Sequence, residues 1–379
     1  MIKKSRILVF AHEQYLNGAS HSLIAILEGL KEVYEFLVIV PDYGLMVDEL
    51  KRINVNFEIL NLPRCGYFNY SSFQNHVKEI RLYYKRKKVI TKRLFLIAEN
   101  FLPDLIYTNT SVLSLGYDLS KKINKPHIWH IREYGDKDFN IFYIPSRSLI
   151  VSKIRKSDVS IFTTNLLKKH WLGEKKHNSE IIYNGVLEQK EVPFKKKSNK
   201  LITIGVVGFI MDTKNQDFAL QVFSSCYKKN SNLRLNFYGD IFTDRYYKTL
   251  ENFIEINKLS DAVSFLGYVS NEIIYNEIDI LMSCANNEAF GRTLIEAMSY
   301  KIPVLARNSG GPSEILNDNY DLSLYDTIDE AVFKMNNLVN NSRLYKKSSE
   351  AGYKLAMSSF SKNNYIEKTA FIFNKTINE

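Results

Sequence analysis

Short apolar runs rich in β-branched residues alternate with longer stretches of helical periodicity from one end of the chain to the other. In the first half, the runs at 7–11, 36–40, 56–60, 105–108, 127–131, 159–162 and 181–183 predict strands. Helical patterns such as 20–30 and 111–122 separate them. A βαβα rhythm of this kind implies a parallel sheet covered on both faces. Residues 188–200 (EQKEVPFKKKSNK) break the rhythm with polar residues, Pro193 and a run of lysines, and this is the expected domain boundary. The pattern then restarts, with strands at 201–207, 233–238, 263–265, 278–282 and 304–306 and a helix at 216–228. A final helical stretch, 363–376, follows Ser361 as a fair N-cap.

The chain is therefore expected to be of the α/β class, with two successive doubly wound domains, 1–190 and 191–360. The terminal segment 361–379 is expected to pack back on the first. Ligands of open α/β sheets bind beyond the carboxyl ends of the strands. With two such sheets facing each other, that place is the cleft between the domains.

Composition narrows the class. A length of 379 residues exceeds one core, and 45% hydrophobic with 24% charged residues is ordinary for a globular protein. Cys65, Cys226 and Cys284 are scattered without metal-ligand spacing and read as reduced thiols. The apolar run after Lys3, Lys4 and Arg6 stops at His12, too short for a secretion signal. No stretch approaches the roughly 20 apolar residues that cross a bilayer. The expected location is the cytoplasm, in solution or at the inner membrane surface.

The net charge of +10 is unevenly shared: residues 1–192 hold 29 Lys+Arg against 20 Asp+Glu, and residues 193–379 hold 22 against 21. The first half is thus expected to meet an anionic partner, whether a phospholipid headgroup, a lipid diphosphate or nucleic acid. No recognition motif supports nucleic acid. The densest basic run, Lys85-Arg86-Lys87-Lys88 with Lys92 and Arg93, is interleaved with Tyr83, Tyr84, Val89, Ile90 and Leu94. It reads either as the solvated face of a helix over a core or as a basic amphipathic helix lying on a membrane.

The segment richest in candidate chemistry is 288–298 (EAFGRTLIEAM), followed by Pro303 and Gly310-Gly311. A strand ends, a polar loop follows, and Gly291 opens a helix. Glycine lets backbone approach a ligand, and the free amides of a first helical turn attract anions. A diphosphate is expected over Gly291, Arg292, Thr293 and Leu294. Glu288 before the helix and Glu296 on its second turn lie within reach of the same mouth, where carboxylates accept paired hydrogen bonds from vicinal hydroxyls.

In order, Glu288, Phe290-Gly291, Glu296-Ala297-Met298, Pro303-Val304, Gly310-Gly311 and Glu314 resemble the signature of retaining GT-B glycosyltransferases of family 4, the group 1 class. Weaker echoes extend over nearly the whole chain. Asn17-Gly18 resembles the N-terminal glycine loop, His130 the histidine beside the transferred sugar, and Asn184-Gly185-Val186 the hinge. Lys214 matches the phosphate-binding lysine. Two positions depart from the pattern: Phe209 stands where many members carry arginine, and Ala19 replaces a second glycine.

The resemblance implies a GT-B fold and transfer of a sugar, with retained configuration, from a nucleoside diphosphate donor, a UDP-sugar first, acting as substrate and without cofactor or catalytic metal. In that scheme Glu288 orients the sugar, Glu296 holds the ribose and Lys214 compensates the leaving diphosphate. Phe290 lies in the donor site, Asn17 and Gly18 lie under the phosphate, and His130 lies against the sugar. A saccharide or isoprenoid-diphosphate-linked acceptor and a place in bacterial surface polysaccharide or capsule assembly follow as expectations. The alternatives are a non-catalytic accessory subunit and a GT-B-fold nucleotide-sugar epimerase.

Overall fold

The computed structural model describes residues 4–68, 73–174, 177–187, 201–316 and 323–379. The boundary expected at 188–200 lies outside the described residues. The chain divides into two compact units, Met1–Gly185 with Lys362–Glu379, and Val186–Ser361.

The first unit contains strands β1 (Ser5–Phe10), β2 (Tyr34–Val40), β3 (Asn56–Ile59), β4 (Gly66–Phe68), β5 (Leu105–Thr108), β6 (His127–Ile131), β7 (Ile141–Tyr143), β8 (Val159–Phe162) and β9 (Ser179–Ile181). Its helices are α1 (Gly18–Leu30), α2 (Leu45–Arg52), α3 (Phe73–Phe101), α4 (Leu115–Ile123), α5 (Asp136–Phe139), α6 (Arg147–Arg155) and α7 (Asn165–Leu172). Seven strands form one parallel sheet in the order β3-β2-β1-β5-β6-β8-β9. Both faces of this sheet are covered, which is why runs such as 7–10 and 36–40 are apolar without interruption. Val9, Val38 and Tyr107 meet α1, α2 and the C-terminal helix on one side. Leu8, Phe10 and Ile106 meet Leu94 and Ala98 of α3 and Leu115 and Leu119 of α4 on the other. β4 and β7 pair as a separate antiparallel ribbon.

The second unit contains β10 (Ile202–Val207), α8 (Gln216–Tyr227), β11 (Leu233–Tyr238), α9 (Asp244–Ile256), β12 (Val263–Phe265), α10 (Asn271–Glu277), β13 (Ile280–Ser283), α11 (Arg292–Ser299), β14 (Val304–Arg307), α12 (Gly311–Leu316), β15 (Leu324–Tyr325), α13 (Ile328–Asn340) and α14 (Ser342–Ser359). Its parallel sheet runs β12-β11-β10-β13-β14-β15. The last helix, α15 (Lys362–Asn378), belongs to the first unit. There it packs on α1, where a Cβ at Gly29 would meet Ile366 at 2.6 Å, and Tyr34 donates to Asn374 Oδ1 at 2.7 Å.

Each sheet has one place where successive strands depart to opposite sides: between β1 and β5 in the first unit, and between β10 and β13 in the second. Such a switch point opens a crevice at the carboxyl ends of the strands.

Two histidines lie inside the first sheet. His127 and His130 on β6 are fully buried. Burial, then Lys121, pushes His127 down to about 3, and burial, then Arg132, holds His130 well below the usual histidine range. Unfolded, both titrate near 6.5, so the unfolded chain takes up protons that the folded one refuses. Stability is fully present above pH 6.5 and falls below it, by about 1.4 kcal/mol per pH unit for each histidine. Denaturant unfolding between pH 7.5 and 4.5 should show this decline. His127→Gln should flatten the slope by one histidine's share, and equal slopes for the two proteins would refute the account.

Candidate functional site

The second unit's switch point is flanked by the turns that follow β10 and β13. After β10 the chain makes a short 3-10 turn, Asp212–Lys214, before α8 begins. Fully buried Gln216 donates to the carbonyl of Phe209 at 2.8 Å and holds this loop from within. After β13, loop 284–291 leads to α11. Lys214 Nζ donates to Glu288 Oε2 at 2.6 Å, an ion pair spanning the crevice with both side chains about a quarter exposed (27% and 23%).

Gly291 caps α11 with φ 97°, a left-handed conformation that favours glycine, and the helix starts at Arg292. Leu294 N–H already donates to Gly291 O at 3.1 Å, whereas the amides of Arg292 and Thr293 make no hydrogen bond among the described residues. The anion-binding part of this turn is thus narrower than four amides. Glu296 is buried and engaged at both oxygens, accepting from Arg292 Nε at 2.8 Å and from Tyr275 at 2.9 Å. A carboxylate has about four acceptor positions, so roughly two stay open. Arg292 Nη1 is buried and has no hydrogen-bond partner among the described residues. Phe290 is buried, with its ring edge-on to Phe360 at 5.9 Å.

The Gly310-Gly311 pair proves to be the bed of the Glu288 loop. Gly311 N–H donates to Glu288 O at 2.6 Å, and Ser309 Oγ donates to Asn286 O. A Cβ at Gly310 would stand 2.3 Å from Glu288 O, and one at Gly311 would stand 2.3 Å from Phe290 O. No side chain fits between these backbones.

Sequence reasoning missed an apolar rim. Beyond the carboxyl ends of β10, β11 and β12, Phe209, Ile241, Phe242, Leu266 and Tyr268 are all exposed. Phe242 N–H donates to Ile210 O, Gly239 N–H donates to Gly267 O, and the Phe209 and Phe242 rings lie 6.0 Å apart. These hydrogen bonds extend the strand ends into one surface. In sequence, Phe209 registers only as an absent arginine; its aromatic neighbour appears once the strands are laid side by side.

In the first unit, Asn17 caps α1 and its side chain accepts from Ser20 N at 3.0 Å, with Gly18 as the first helical residue. Asn109 Nδ2, just past β5, donates to Ala19 O at 3.2 Å and ties the switch point together. His130 is enclosed, with its Nδ1 2.7 Å from Tyr107 Oη and its Nε2 buried without a partner among the described residues. Buried Arg132, also not anticipated from sequence, donates to Asn109 Oδ1, Asn184 Oδ1 and Tyr365 Oη. Glu133 Oε1 accepts from Thr110 Oγ1, Ser111 N and Ser111 Oγ. Among the described residues, no group of three or more His, Cys, Asp or Glu stands together to hold a metal ion.

Comparison with known proteins fits this geometry. The sequence model described as Glycosyl transferases group 1 matches residues 188–355. Protein CapJ of Staphylococcus aureus is 23% identical over 329 residues, 82% of this chain and 79% of that protein. From the same organism, the capsular polysaccharide biosynthesis glycosyltransferase CapM is 24% identical over 206 residues, 52% of this chain and 51% of its own. Anabaena Alr3699/HepE in complex with UDP and glucose has a TM-score of 0.78 at 18% identity, covering 97% of this chain and 99% of that one. A Staphylococcus aureus TarM mutant in complex with fondaparinux, alpha-GlcNAc-glycerol and UDP has a TM-score of 0.72 at 15% identity, covering 99% and 100%. The fold is α/β of the GT-B type, with parallel, doubly wound sheets.

The glycine bed yields a test of the site's construction. Gly310→Ala should lose about 1–3 kcal/mol of stability from the backbone overlap, beyond its left-handed φ of 63°. Gly173→Ala, at φ 69° and ψ −156° with nothing within 4 Å, should lose only backbone strain, about 1–3 kcal/mol, with no overlap added to it. Chemical denaturation of the two variants compares them, and equal losses would disprove the close approach.

Proposed function

We propose that the chain is a GT-B glycosyltransferase that moves a sugar from a nucleoside diphosphate, a UDP-sugar first, to a saccharide or isoprenoid-diphosphate-linked acceptor. Transfer retains the anomeric configuration and serves bacterial surface polysaccharide assembly, such as that of a capsule. The observation that carries this reading is the meeting of Lys214 and Glu288 beside the first turn of α11, at the switch point of one sheet. Match of the group 1 family to residues 188–355 supports it, as does the UDP named with similar folds.

A departing diphosphate gathers negative charge, and fixed positive groups placed in advance stabilise it. Lys214 supplies a full charge, and the amides of Arg292 and Thr293 supply the positive end of α11. Glu288, released from Lys214, accepts hydrogen bonds from the sugar's vicinal hydroxyls. The open acceptor positions of Glu296 take the ribose diol, and the apolar rim offers rings on which the base can stack. With the charge met in this way, the reading assigns no catalytic metal. Asn17 and Gly18 are assigned to the phosphate, and His130 to the sugar. The leaving phosphate itself takes the acceptor's proton.

A membrane-side acceptor is supported by α3. Leu82, Val89 and Leu96 are exposed at seven-residue intervals, which places them in one line along the helix. Lys85, Lys92 and Arg93, also exposed, flank that line. No described helix is long and apolar enough to cross a membrane. This face suits the headgroup layer of an anionic bilayer, with apolar side chains inserted and lysines on the phosphates.

Two experiments test the reading. Transfer from a panel of UDP-, GDP- and dTDP-sugars should give product with one donor class, and Lys214→Ala or Glu288→Ala should lower kcat by about 10²–10³. Wild-type rates in folded variants would remove both roles. The protein should float with phosphatidylglycerol vesicles and dissociate as salt rises, and Lys85→Glu with Lys92→Glu should weaken flotation at least tenfold, to an order of magnitude. No association with these vesicles would end the membrane part.

A further inference from the structure

We propose that Arg132 is a positioning residue that fixes the fully buried His130 as a neutral imidazole protonated on Nε2, so that His130 meets substrate only as a hydrogen-bond donor to a sugar oxygen. The substrate assignment rests on the transferase reading above. The tautomer stands on geometry alone.

Guanidinium groups donate and never accept. Arg132 Nη2 lies 3.3 Å from His130 Nδ1, so that nitrogen must present its lone pair. Tyr107 Oη lies 2.7 Å from the same atom and 3.3 Å from Asn109 Oδ1, and with its single proton it donates across the shorter contact, to His130 Nδ1. Burial pushes the Tyr107 hydroxyl up, which keeps it a donor. With Nδ1 accepting from two sides, the ring proton resides on Nε2.

The guanidinium cannot swing away from this task. Its Nε is held by Asn109 Oδ1 at 2.8 Å, its Nη1 by Asn184 Oδ1 and its Nη2 by Tyr365 Oη at 2.7 Å. These partners come from the loops after β5 and β9 and from α15. All of them are neutral, and among the described residues no carboxylate stands within ion-pair distance of Arg132. A buried guanidinium without a counter-charge is unfavourable unless it serves something else. Here its uncompensated charge opposes a second proton on the neighbouring imidazole. The groups facing that ring are Tyr107 from β5, Arg132 just past β6 and Tyr365 from α15, whose ring centre lies 6.5 Å away. None of them is a carboxylate that would draw a proton onto it.

Two consequences follow for chemistry. His130 cannot act as a general base, because its lone pair is already engaged twice. Nor can it deliver a proton as an imidazolium. What remains is the Nε2–H, a buried donor with no acceptor among the described residues. Such a donor suits a sugar hydroxyl oxygen.

Nitrogen-15 NMR of the imidazoles tests this without reference to activity. The chain has seven histidines, and the His130 signal is the one missing in His130→Gln or the one with through-space contacts to the Tyr107 ring. The wild type should show a protonated Nε2 and a bare Nδ1, unchanged from pH 8 to pH 5. Arg132→Gln leaves the burial in place, so the ring should stay neutral, but without the guanidinium donor the tautomer is released and rings protonated on Nδ1 should appear. A wild-type His130 protonated on Nδ1, or cationic at pH 7, overturns the proposal even if transfer is robust. The correct tautomer in a protein that transfers no sugar leaves the proposal standing and sinks the transferase reading. Where transfer is measured, His130→Gln places an amide N–H near Nε2 and should keep kcat/KM within about tenfold, whereas His130→Asn should lose at least about tenfold more. Equal losses would overturn the donor role.

Discussion

The ion pair between Lys214 and Glu288 is the contact around which the second unit's crevice is organised. It joins the turn after β10 to the loop after β13 across the point where the sheet's strand order reverses. Neither group is free in water, since each is about three-quarters covered. Charges so placed are only partly hydrated, and their mutual attraction makes up part of the difference. Whatever enters the crevice between them has to replace one partner with another.

That requirement explains the rigidity of the surroundings. Glu288 sits on a loop of eight residues, which alone would wander. The Gly310-Gly311 turn removes the freedom by laying backbone on backbone, and Gln216 does the same for the Phe209 loop from beneath. Glycine here is a packing residue: the carbonyls of Glu288 and Phe290 occupy the space where a Cβ would go. The signature's glycines and its glutamate therefore depend on each other. A glutamate in that place without them would have no fixed direction.

Most of the parallel strands were legible because a strand buried on both faces must be apolar along its length, and runs such as 7–11 and 36–40 have no other good explanation. Where the reading slipped, a local contact decided. The helix expected from Ser111 begins only at Leu115, because Ser111 gives its amide and hydroxyl to Glu133. The strand expected from Ile278 begins at Ile280, because α10 runs to Glu277 and Ile278 caps it. β4 and β7 are three residues each, too short for any period to show. In the site, Glu288 and the start of α11 stood out by residue type and spacing, and Lys214 through the family resemblance. Arg132 did not, because its partners are two asparagines, two tyrosines and a histidine drawn from positions 107 to 365, and no pattern in sequence joins them.

The same pair bears on which ligand the proposed enzyme would accept. A free nucleotide offers phosphate to Lys214 but nothing to Glu288, and leaves a half-buried carboxylate without its cation. A free sugar offers hydroxyls to Glu288 but no anion to Lys214 in exchange for the carboxylate. Only a molecule carrying both, a phosphate group linked to a polyol, dissolves the ion pair and satisfies each half at once. Discrimination of this kind comes from the penalty on the wrong ligand more than from the attraction of the right one, since an uncompensated buried charge weighs more than a single added hydrogen bond. In that light the Lys214–Glu288 contact is a filter, held closed by its own attraction and opened by the one class of ligand that carries both chemical groups.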